Sequence, residues 1–178
     1  MAYPSDEDWP ADPDSSRSIG RRAFIGLGSN MGDSSGSVIR AAHEMGSISG
    51  VRVIATSRLY TTSPVGIEDQ PDFINAVAML DVECSARELL DALLDLERRF
   101  GRDRSKEQRW GPRTLDLDLL VFGDVAIDEP GLVVPHPRMA ERRFVLEPLA
   151  DLAPDLVPPG WGQSASQVLS SLERRVTP

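Results

Sequence analysis

An α+β sandwich is the fold class that the sequence predicts, with an antiparallel four-stranded sheet covered by helices. Apolar runs rich in β-branched residues alternate with two amphipathic helical stretches along the chain. These elements follow one another in the order β-α-β-β-α-β. This order places both helices on one face of the sheet.

The first half of the sandwich comes from three segments and a loop. Residues 22–28 form a short apolar run that ends in a Gly-Ser-Asn turn, which predicts the first strand. Residues 34–46 repeat apolar side chains at helical spacing, and Asp33 is suited to cap that helix. Residues 51–60 are rich in β-branched side chains and predict the second strand, and residues 61–72 contain the prolines and glycine of a loop.

The second half repeats this alternation. Residues 73–82 predict the third strand. Ser85 and Glu88 have the spacing of a capping box, and the leucine-rich helix that they begin ends where Gly101 provides a stop. Residues 115–122 predict the fourth strand, and the complete order is that of a ferredoxin-like βαββαβ fold.

The two ends of the chain differ from this core. Residues 1–20 carry five acidic residues and one arginine among prolines and serines, a composition that predicts a disordered acidic tail. Residues 21–178 predict a single domain, whose C-terminal extension over 123–178 includes a helix near 139–150. No apolar run approaches the roughly 20 residues of a membrane span, and the N-terminus lacks the order of a signal peptide. We therefore expect a cytoplasmic protein without a membrane partner.

The charge distribution points to a small anionic ligand. The formal net charge of −9 disfavours general nucleic-acid binding, which requires a broad basic surface. Against this background, residues 98–113 hold seven basic and only two acidic residues. A helix end explains Arg98 and Arg99, because basic residues complement the helix dipole there. The remaining positive charges suit a compact polyanion such as a nucleoside triphosphate.

Asp116 and Asp118 form the strongest candidate site. Alternate side chains of a strand share a face, so the two carboxylates lie on one side with Cα atoms roughly 6.5–7 Å apart, and the neighbouring leucines lie on the other. Mg²⁺ binds such carboxylates together with substrate phosphates. The alternative is the solvent face of an amphipathic strand. Arg113, three residues earlier, favours an ATP site, because guanidinium groups bind phosphate oxygens.

Other candidates surround this pair in the sequence. His136 lies between two prolines, where it suits either a phosphate ligand or a structural hydrogen bond. Arg142 and Arg143 suit a second phosphate-binding edge or an exposed helix start equally well. A flat aromatic substrate needs rings for stacking and an amide for its edge. The candidates for these two tasks are Phe73, Trp110, Phe144 and Asn75.

These residues resemble the 6-hydroxymethyl-7,8-dihydropterin pyrophosphokinase family over roughly residues 22–160. The matching segments are Gly28-Ser29-Asn30, Tyr60 to Asn75, Arg109 to Asp118, Val134-Pro135-His136 and Arg142 to Phe144. The run Arg-Trp-Gly-Pro-Arg-Thr-Leu-Asp-Leu-Asp is highly specific. The resemblance implies transfer of diphosphate from ATP to 6-hydroxymethyl-7,8-dihydropterin in folate synthesis, with release of AMP. It also implies two Mg²⁺ ions, and we expect a monomer whose partners are these two small molecules.

The resemblance further implies a role for each matching position. The catalytic residues are Arg102, Arg113, Asp116 and Asp118, of which the two aspartates also bind the metal ions. The ATP-binding residues are Glu97, Arg104, Arg109, Trp110, Arg113, Leu119, His136 and Arg142. The pterin-binding residues are Gly28, Thr62, Ser63, Val65, Phe73, Asn75, Trp110, Asp116 and Phe144. Loops around 62–70 and 102–112 are expected to close over ATP and exclude water.

The chain departs from the usual pattern of this family at three places. Phe73 replaces a tyrosine, and Pro137 stands where a tyrosine is frequent. The loop between Gly101 and Trp110 is one residue longer than in some members.

Three other functions fit parts of the pattern. A non-catalytic ferredoxin-like module that binds a small ligand would not need Asp116 and Asp118 together. A nucleic-acid-binding module would carry basic and aromatic residues on its central strands, where this chain has mostly aliphatic ones. A phosphotransferase for another alcohol would differ only in its substrate.

Overall fold

The computed structural model describes residues 20–64, 66–67, 69–104 and 111–176. Its strands are β1 (Arg21–Ser29), β2 (Val51–Thr56), β3 (Tyr60–Thr62), β4 (Phe73–Val82), β5 (Asp116–Phe122), β6 (Ile127–Glu129) and β7 (Leu132–Val134). Its helices are α1 (Ser34–Met45), α2 (Ala86–Arg99), α3 (Arg143–Leu152), which a 3-10 turn at Met139–Glu141 precedes, and α4 (Ala165–Val176). Within these described ranges, none of the helices combines the length and apolar character that crossing a membrane requires.

The main sheet is antiparallel throughout. Its strand order is β2-β4-β1-β5, and β3 continues the pairing of β2 along β4. The predicted four-stranded ferredoxin-like sheet is thereby confirmed, with β2 and β3 together forming the second predicted strand. The short strands β6 and β7 form a separate hairpin that the sequence analysis did not predict.

The second predicted strand, residues 51–60, is wrong as a continuous element. It is divided because Ser57 replaces part of the strand pairing with its own side chain. The Ser57 hydroxyl oxygen accepts from the Val77 N–H at 2.9 Å, and the Ser57 N–H donates to the Val77 carbonyl at 2.8 Å. Pairing then resumes at Tyr60, four residues beyond Thr56 but only three along β4, so one extra residue bulges out.

The two faces of the sheet are covered by different helices. Helices α1 and α2 bury the larger core on one face, as predicted for the two helices of the βαββαβ unit. On the opposite face, α3 packs against β4 and α4, and its side chains join Phe24, Val77 and Leu120 in a second core. The predicted helix near 139–150 is confirmed as the 3-10 turn and α3, whereas α4 was not predicted.

Local capping sets the ends of α1 and α2 as the sequence predicts. Asp33 accepts from the Gly36 N–H at 3.0 Å, and Ser85 and Glu88 exchange both bonds of a capping box. Helix α2 stops at Gly101, whose φ of +83° is a conformation that glycine adopts easily. This ending brings Glu97, in the last turn of α2, to the edge of β5.

Candidate active site

A row of three residues across the sheet forms the floor of the site. Gly28 on β1 pairs with Asn75 on β4 and with Asp116 on β5, all on the face that α3 covers. A Cβ atom at Gly28 would lie 3.3 Å from Asn75 Oδ1 and 3.9 Å from Asp116 Cβ. The glycine therefore leaves open the space between an amide and a carboxylate.

A cavity of about 260 Å³ lies above this floor. Its lining residues are Gly28, Thr62, Ser63, Phe73, Asn75, Arg102, Arg104, Gly111, Arg113, Asp116, Asp118, His136, Arg138, Arg142 and Phe144. Five of these are arginines and two are aspartates, so the lining carries a net charge of +3 with neutral histidine, in a chain whose net charge is −9. The local excess of positive charge suits a polyanionic ligand.

The two aspartates lie on the same strand face, as predicted, while Leu117 and Leu119 point into the opposite core. Asp116 is held by two guanidinium groups, since both Arg102 and Arg113 direct an Nη1 atom at its carboxylate. Asp118 follows two residues later on β5, with Oδ2 3.5 Å from Arg142 Nη1. Each carboxylate thus already faces the cations that line the cavity.

The different surroundings separate the acidities of the two aspartates. Burial alone would raise the pKa of Asp116, but the charges of Arg102 and Arg113 outweigh it and lower that pKa below its ordinary value. Burial raises the pKa of Asp118, and the nearby charge of Asp116 raises it further. The two negative charges lie close together here, and a bound divalent cation would reduce the repulsion between them.

Glu97 supports the site from outside the cavity. Its side chain is 1% exposed, and its carboxylate accepts from the Leu117 N–H at 2.7 Å, from Arg102 at 2.6 Å and from Arg104 at 2.9 Å. Burial raises the pKa of Glu97, an effect that these hydrogen bonds and positive charges oppose. Glu97, which the resemblance predicts as an ATP ligand, contacts the backbone of β5 and two of the lining arginines.

The opposite wall of the cavity is aromatic and amide-bearing. Phe73 and Phe144 both line it, and Arg142 lies 5.6 Å from the centre of the Phe144 ring. Asn75 donates through Nδ2 to Thr62 Oγ1 at 2.8 Å, and its Oδ1 lies beside the open position of Gly28. These groups offer two ring faces and a fixed amide to a flat heterocycle.

His136 presents a defined tautomer. Its Nδ1 atom accepts from the backbone N–H of Arg138 at 3.3 Å, so the neutral ring carries its proton on Nε2. Burial lowers the pKa of His136, the negative charge of Asp118 opposes this effect, and the charges of Arg142 and Arg138 add to it, so that the pKa lies below its ordinary value. The ring therefore offers a neutral N–H donor.

The sequence analysis missed Gly111 and Arg138. Arg138 follows His136 by two residues, and this closeness to a candidate phosphate ligand was the available signal. Of the two open alternatives for Arg143, the exposed helix start is correct, because its side chain pairs with Glu147 at 2.9 Å outside the cavity.

Four further predicted residues do not contribute a described side chain to the cavity. Leu119 is buried in the core shared with α1 and α2, so only its backbone remains available to ATP. Val65, Arg109 and Trp110 lie outside the described residues.

Comparison with known proteins gives the same family as the sequence motifs. The family model for 7,8-dihydro-6-hydroxymethylpterin-pyrophosphokinase (HPPK) matches residues 24–154. A Pseudomonas aeruginosa protein named 2-amino-4-hydroxy-6-hydroxymethyldihydropteridine pyrophosphokinase is 47% identical over 136 residues, which are 76% of this chain and 83% of that protein. A protein of the same name from Methylorubrum extorquens is 41% identical over 152 residues, covering 85% of this chain and 94% of that one.

Solved structures show the same fold. The chain is similar to an HPPK-DHPS crystallised in complex with substrates, with a TM-score of 0.67, and to wild-type Plasmodium falciparum HPPK-DHPS, with a TM-score of 0.64. Both are 12% identical to it, and it spans only 44% and 45% of their lengths while 88% and 87% of its own chain is covered. The predicted family, fold and enzyme class are confirmed. The chain belongs to the 7,8-dihydro-6-hydroxymethylpterin pyrophosphokinase family.

Proposed function

We propose that this chain transfers the diphosphate of ATP to the hydroxymethyl group of 6-hydroxymethyl-7,8-dihydropterin, releasing AMP, as a step in folate synthesis. One observation carries the proposal: a single cavity combines an arginine-rich wall around two carboxylates with an aromatic wall bearing an amide. The first wall suits the phosphates of a nucleotide, and the second suits a pterin ring. The shared floor at Gly28 brings the two substrates together.

The phosphate side is the arginine-rich wall. The charges of Arg102, Arg113 and Arg142 are available to phosphate oxygens, and the neutral His136 ring contributes an N–H donor. Arg104 and Arg138 extend the positive charge along the wall. Binding of the polyanion requires Arg102 and Arg113 to exchange their contact with Asp116 for contacts with phosphate.

The carboxylates of Asp116 and Asp118 fit Mg²⁺ in their chemistry. They are hard oxygen donors on one strand face, and the charge of Asp116 already opposes ionisation of Asp118. No group of three or more His, Cys, Asp or Glu side chains within the described part of the chain is arranged to hold a metal by itself. Substrate phosphates and water would complete the coordination, as Mg²⁺ prefers, and we propose two ions held by this pair.

The reaction is an in-line displacement. The hydroxymethyl oxygen attacks the β-phosphorus of ATP, the bond from this phosphorus to the α–β bridging oxygen breaks, and AMP leaves with that oxygen while the hydroxyl proton is released. Bound metal ions supply neutralisation of phosphate charge and orientation of the attacking group. Phe73, Phe144 and Asn75 hold the pterin so that its oxygen faces the phosphates. Positioning and electrostatic stabilisation supply most of the acceleration.

The direct test incubates the protein with ATP, Mg²⁺ and 6-hydroxymethyl-7,8-dihydropterin and separates the nucleotides by chromatography. We expect AMP and pterin diphosphate in equal amounts, with no AMP when EDTA replaces Mg²⁺. ADP as the product would indicate monophosphate transfer and reject the proposal. AMP formation with other alcohols but not with this pterin would indicate a phosphotransferase of different specificity.

We also propose the wider setting that the sequence analysis predicts. The enzyme acts as a monomer in the cytoplasm, with residues 21–178 as one domain behind the acidic segment 1–20. A monomer is supported by the cavity, since one chain supplies both of its walls. A cytoplasmic location agrees with the supply of ATP there.

A further inference from the structure

We propose that Ser57 positions the pterin, because its hydroxyl determines which face of β3 is turned toward the cavity. Ser57 lies outside the lining of the cavity and is a positioning residue, since it acts through Thr62 and Asn75, which belong to that lining. The inference rests on the proposed function, because it concerns the pterin side of the same cavity.

The hydroxyl of Ser57 takes the place of this residue's own carbonyl in the sheet. Ser57 is 8% exposed, and its N–H donates to the Val77 carbonyl at 2.8 Å, as in regular antiparallel pairing. In a regular pair the Val77 N–H would donate back to the Ser57 carbonyl. Here it donates to the Ser57 hydroxyl at 2.9 Å, and this hydroxyl donates in turn to the Arg58 carbonyl at 2.9 Å. The backbone therefore leaves the strand at Ser57.

This departure changes the strand register by one residue. Before the interruption, Thr56 lies opposite Ala78. After it, Tyr60 lies opposite Asn75, whereas unbroken pairing would bring Leu59 to that place. A shift of one residue turns every following side chain to the other face of a sheet. The extra residue in the bulge thus decides which side chains of β3 face the cavity.

Thr62 is the side chain that the observed register brings to the cavity. It lies opposite Phe73, and both residues line the cavity. Its Oγ1 atom accepts from Asn75 Nδ2 at 2.8 Å, while Asn75 Oδ1 lies beside the open position of Gly28. In the unbroken register Thr61 would take this place, and Thr62 would point to the other face. The amide that is offered to the pterin would then lose the partner that fixes its orientation.

Removal of the Ser57 hydroxyl favours the unbroken register. Val77 is fully buried, and a buried N–H without an acceptor is costly. In Ser57→Ala the carbonyl of residue 57 can replace the lost hydroxyl as the acceptor, which continues β2 directly into β3. The same change turns Leu59 from the core beneath the sheet to the face of Asn75. The pterin side of the cavity is altered although none of its own residues has been substituted.

Deletion of Arg58 should correct this register. With one residue fewer between Ser57 and β3, unbroken pairing brings Tyr60 opposite Asn75 again and returns Thr62 to the cavity face. Arg58 is exposed, so its deletion removes no side chain from the core. A serine that only stabilises the fold would not be compensated by a deletion next to it.

The test measures the Kd of 6-hydroxymethylpterin by calorimetry, with Mg²⁺ and saturating α,β-methylene-ATP, whose inert α–β bridge prevents the reaction. We expect Ser57→Ala to raise this Kd by about fivefold, the scale of one lost side-chain hydrogen bond. The Kd of the nucleotide measured without pterin should stay within about twofold of wild type. In Ser57→Ala with Arg58 deleted, the pterin Kd should return to within about twofold of wild type.

Ser164→Ala is the matched control for the loss of a buried hydroxyl. Ser164 is 9% exposed, and its hydroxyl also accepts from a backbone N–H, that of Gln167 at 3.4 Å. Its substitution should lower the Tm, as Ser57→Ala does, and leave the pterin Kd unchanged.

The outcomes separate the inference from the proposed function. An unchanged pterin Kd in Ser57→Ala, an equal rise in Ser164→Ala, or no recovery when Arg58 is deleted overturns the inference. If Ser57→Ala does not fold, the combined variant carries the test, because it must then fold and bind the pterin. A wild-type protein that does not bind the pterin counts instead against the proposed function.

Discussion

Two rows of residues on the same face of the sheet combine an aspartate with arginines, yet only one of them lines the cavity. In the closed row, Asp81 on β4 pairs directly with Arg22 on β1 and Arg52 on β2. In the open row, Gly28 separates Asn75 from Asp116, and the arginines that reach Asp116 come from the segment between α2 and β5. The charges are similar, but the backbone that carries them differs.

This difference indicates what makes an ion pair structural or functional. The strand pairing fixes the backbones of both arginines of the closed row, whose side chains approach the buried Asp81 at 3.3 Å and 2.8 Å. Arg102 and Arg113 belong to no strand, so exchanging Asp116 for a phosphate would break no strand pairing, and Arg102 has its 2.6 Å bond to Glu97 besides the contact with Asp116. A carboxylate whose arginine partners lie on loops can exchange them for other ligands and so take part in substrate binding. A carboxylate whose arginine partners lie on paired strands stabilises the fold.

The largest effect is expected from removing the negative charge of either aspartate in the cavity, Asp116 of the open row or Asp118 two residues later. Asp116→Asn and Asp118→Asn keep the side-chain shape but remove a metal-binding charge, so AMP formation should fall by at least about a hundredfold, since metal stabilisation is worth several kcal/mol. For Asp118→Asn the Tm should not fall, because burial and the charge of Asp116 oppose its ionisation in the unliganded protein. Near-normal turnover in both folded variants would refute the metal assignment.

Arg113 and Arg22 provide a matched comparison between the two rows. Arg113→Ala removes a charge-assisted bond to phosphate, worth about 1.5–3 kcal/mol, so kcat/KM should fall by about tenfold to a hundredfold. Arg22→Ala removes a similar guanidinium from the closed row and should leave kcat/KM within about twofold of wild type. Equal losses of activity in the two variants, each tracking a lower Tm, would instead mean that both arginines are structural.

Asp81→Asn should reverse this pattern. Asp81 is 2% exposed, whereas its partners Arg22 and Arg52 are 40% and 22% exposed and can recover hydration. The loss in unfolding free energy is therefore expected at about 1–3 kcal/mol, below that of a fully buried pair. Urea unfolding monitored by circular dichroism measures this loss. The folded fraction should keep its kcat, and a large drop in kcat would show that the closed row also supports the site.

The sequence predicts most of this fold because its signals are local. The capping box at Ser85 and Glu88 and the alternation at Asp116 and Asp118 depend on neighbouring residues alone, and the structure shows both. The interruption at Ser57 could not be predicted, because it arises from bonds to Val77, twenty residues away.

The same limit applies to the candidate site. Its charges and rings are visible in the sequence, but the residues that hold them act across long separations. Glu97 reaches the N–H of Leu117, and Asn30 reaches the backbone of Arg113, only because the sheet brings those segments together. No local pattern distinguishes such residues from ordinary polar positions. Arg138 enters the cavity by the path of the chain after β7, which the sequence does not specify.

The smallest effect is expected at Gly28, where the substitution tests whether the open row requires a residue without a side chain. A methyl group at Gly28 would lie 3.3 Å from Asn75 Oδ1, closer than an unstrained contact, so Gly28→Ala should displace the amide that faces the pterin. We expect the KM for 6-hydroxymethyl-7,8-dihydropterin to rise about fivefold, or roughly 1 kcal/mol, with kcat within about twofold of wild type.

Gly26, two residues earlier on the same face of β1, is the control for this substitution. The three atoms nearest to a methyl group there would all belong to the Leu120 side chain, at an ordinary 3.5–3.6 Å, so Gly26→Ala should leave the pterin KM unchanged. If both alanine variants raise the KM equally, strand β1 tolerates no added volume anywhere and the open floor at Gly28 has no special role. If only Gly28→Ala does, the space between Asn75 and Asp116 is part of the substrate site, and the absence of a side chain there separates the open row from the closed one.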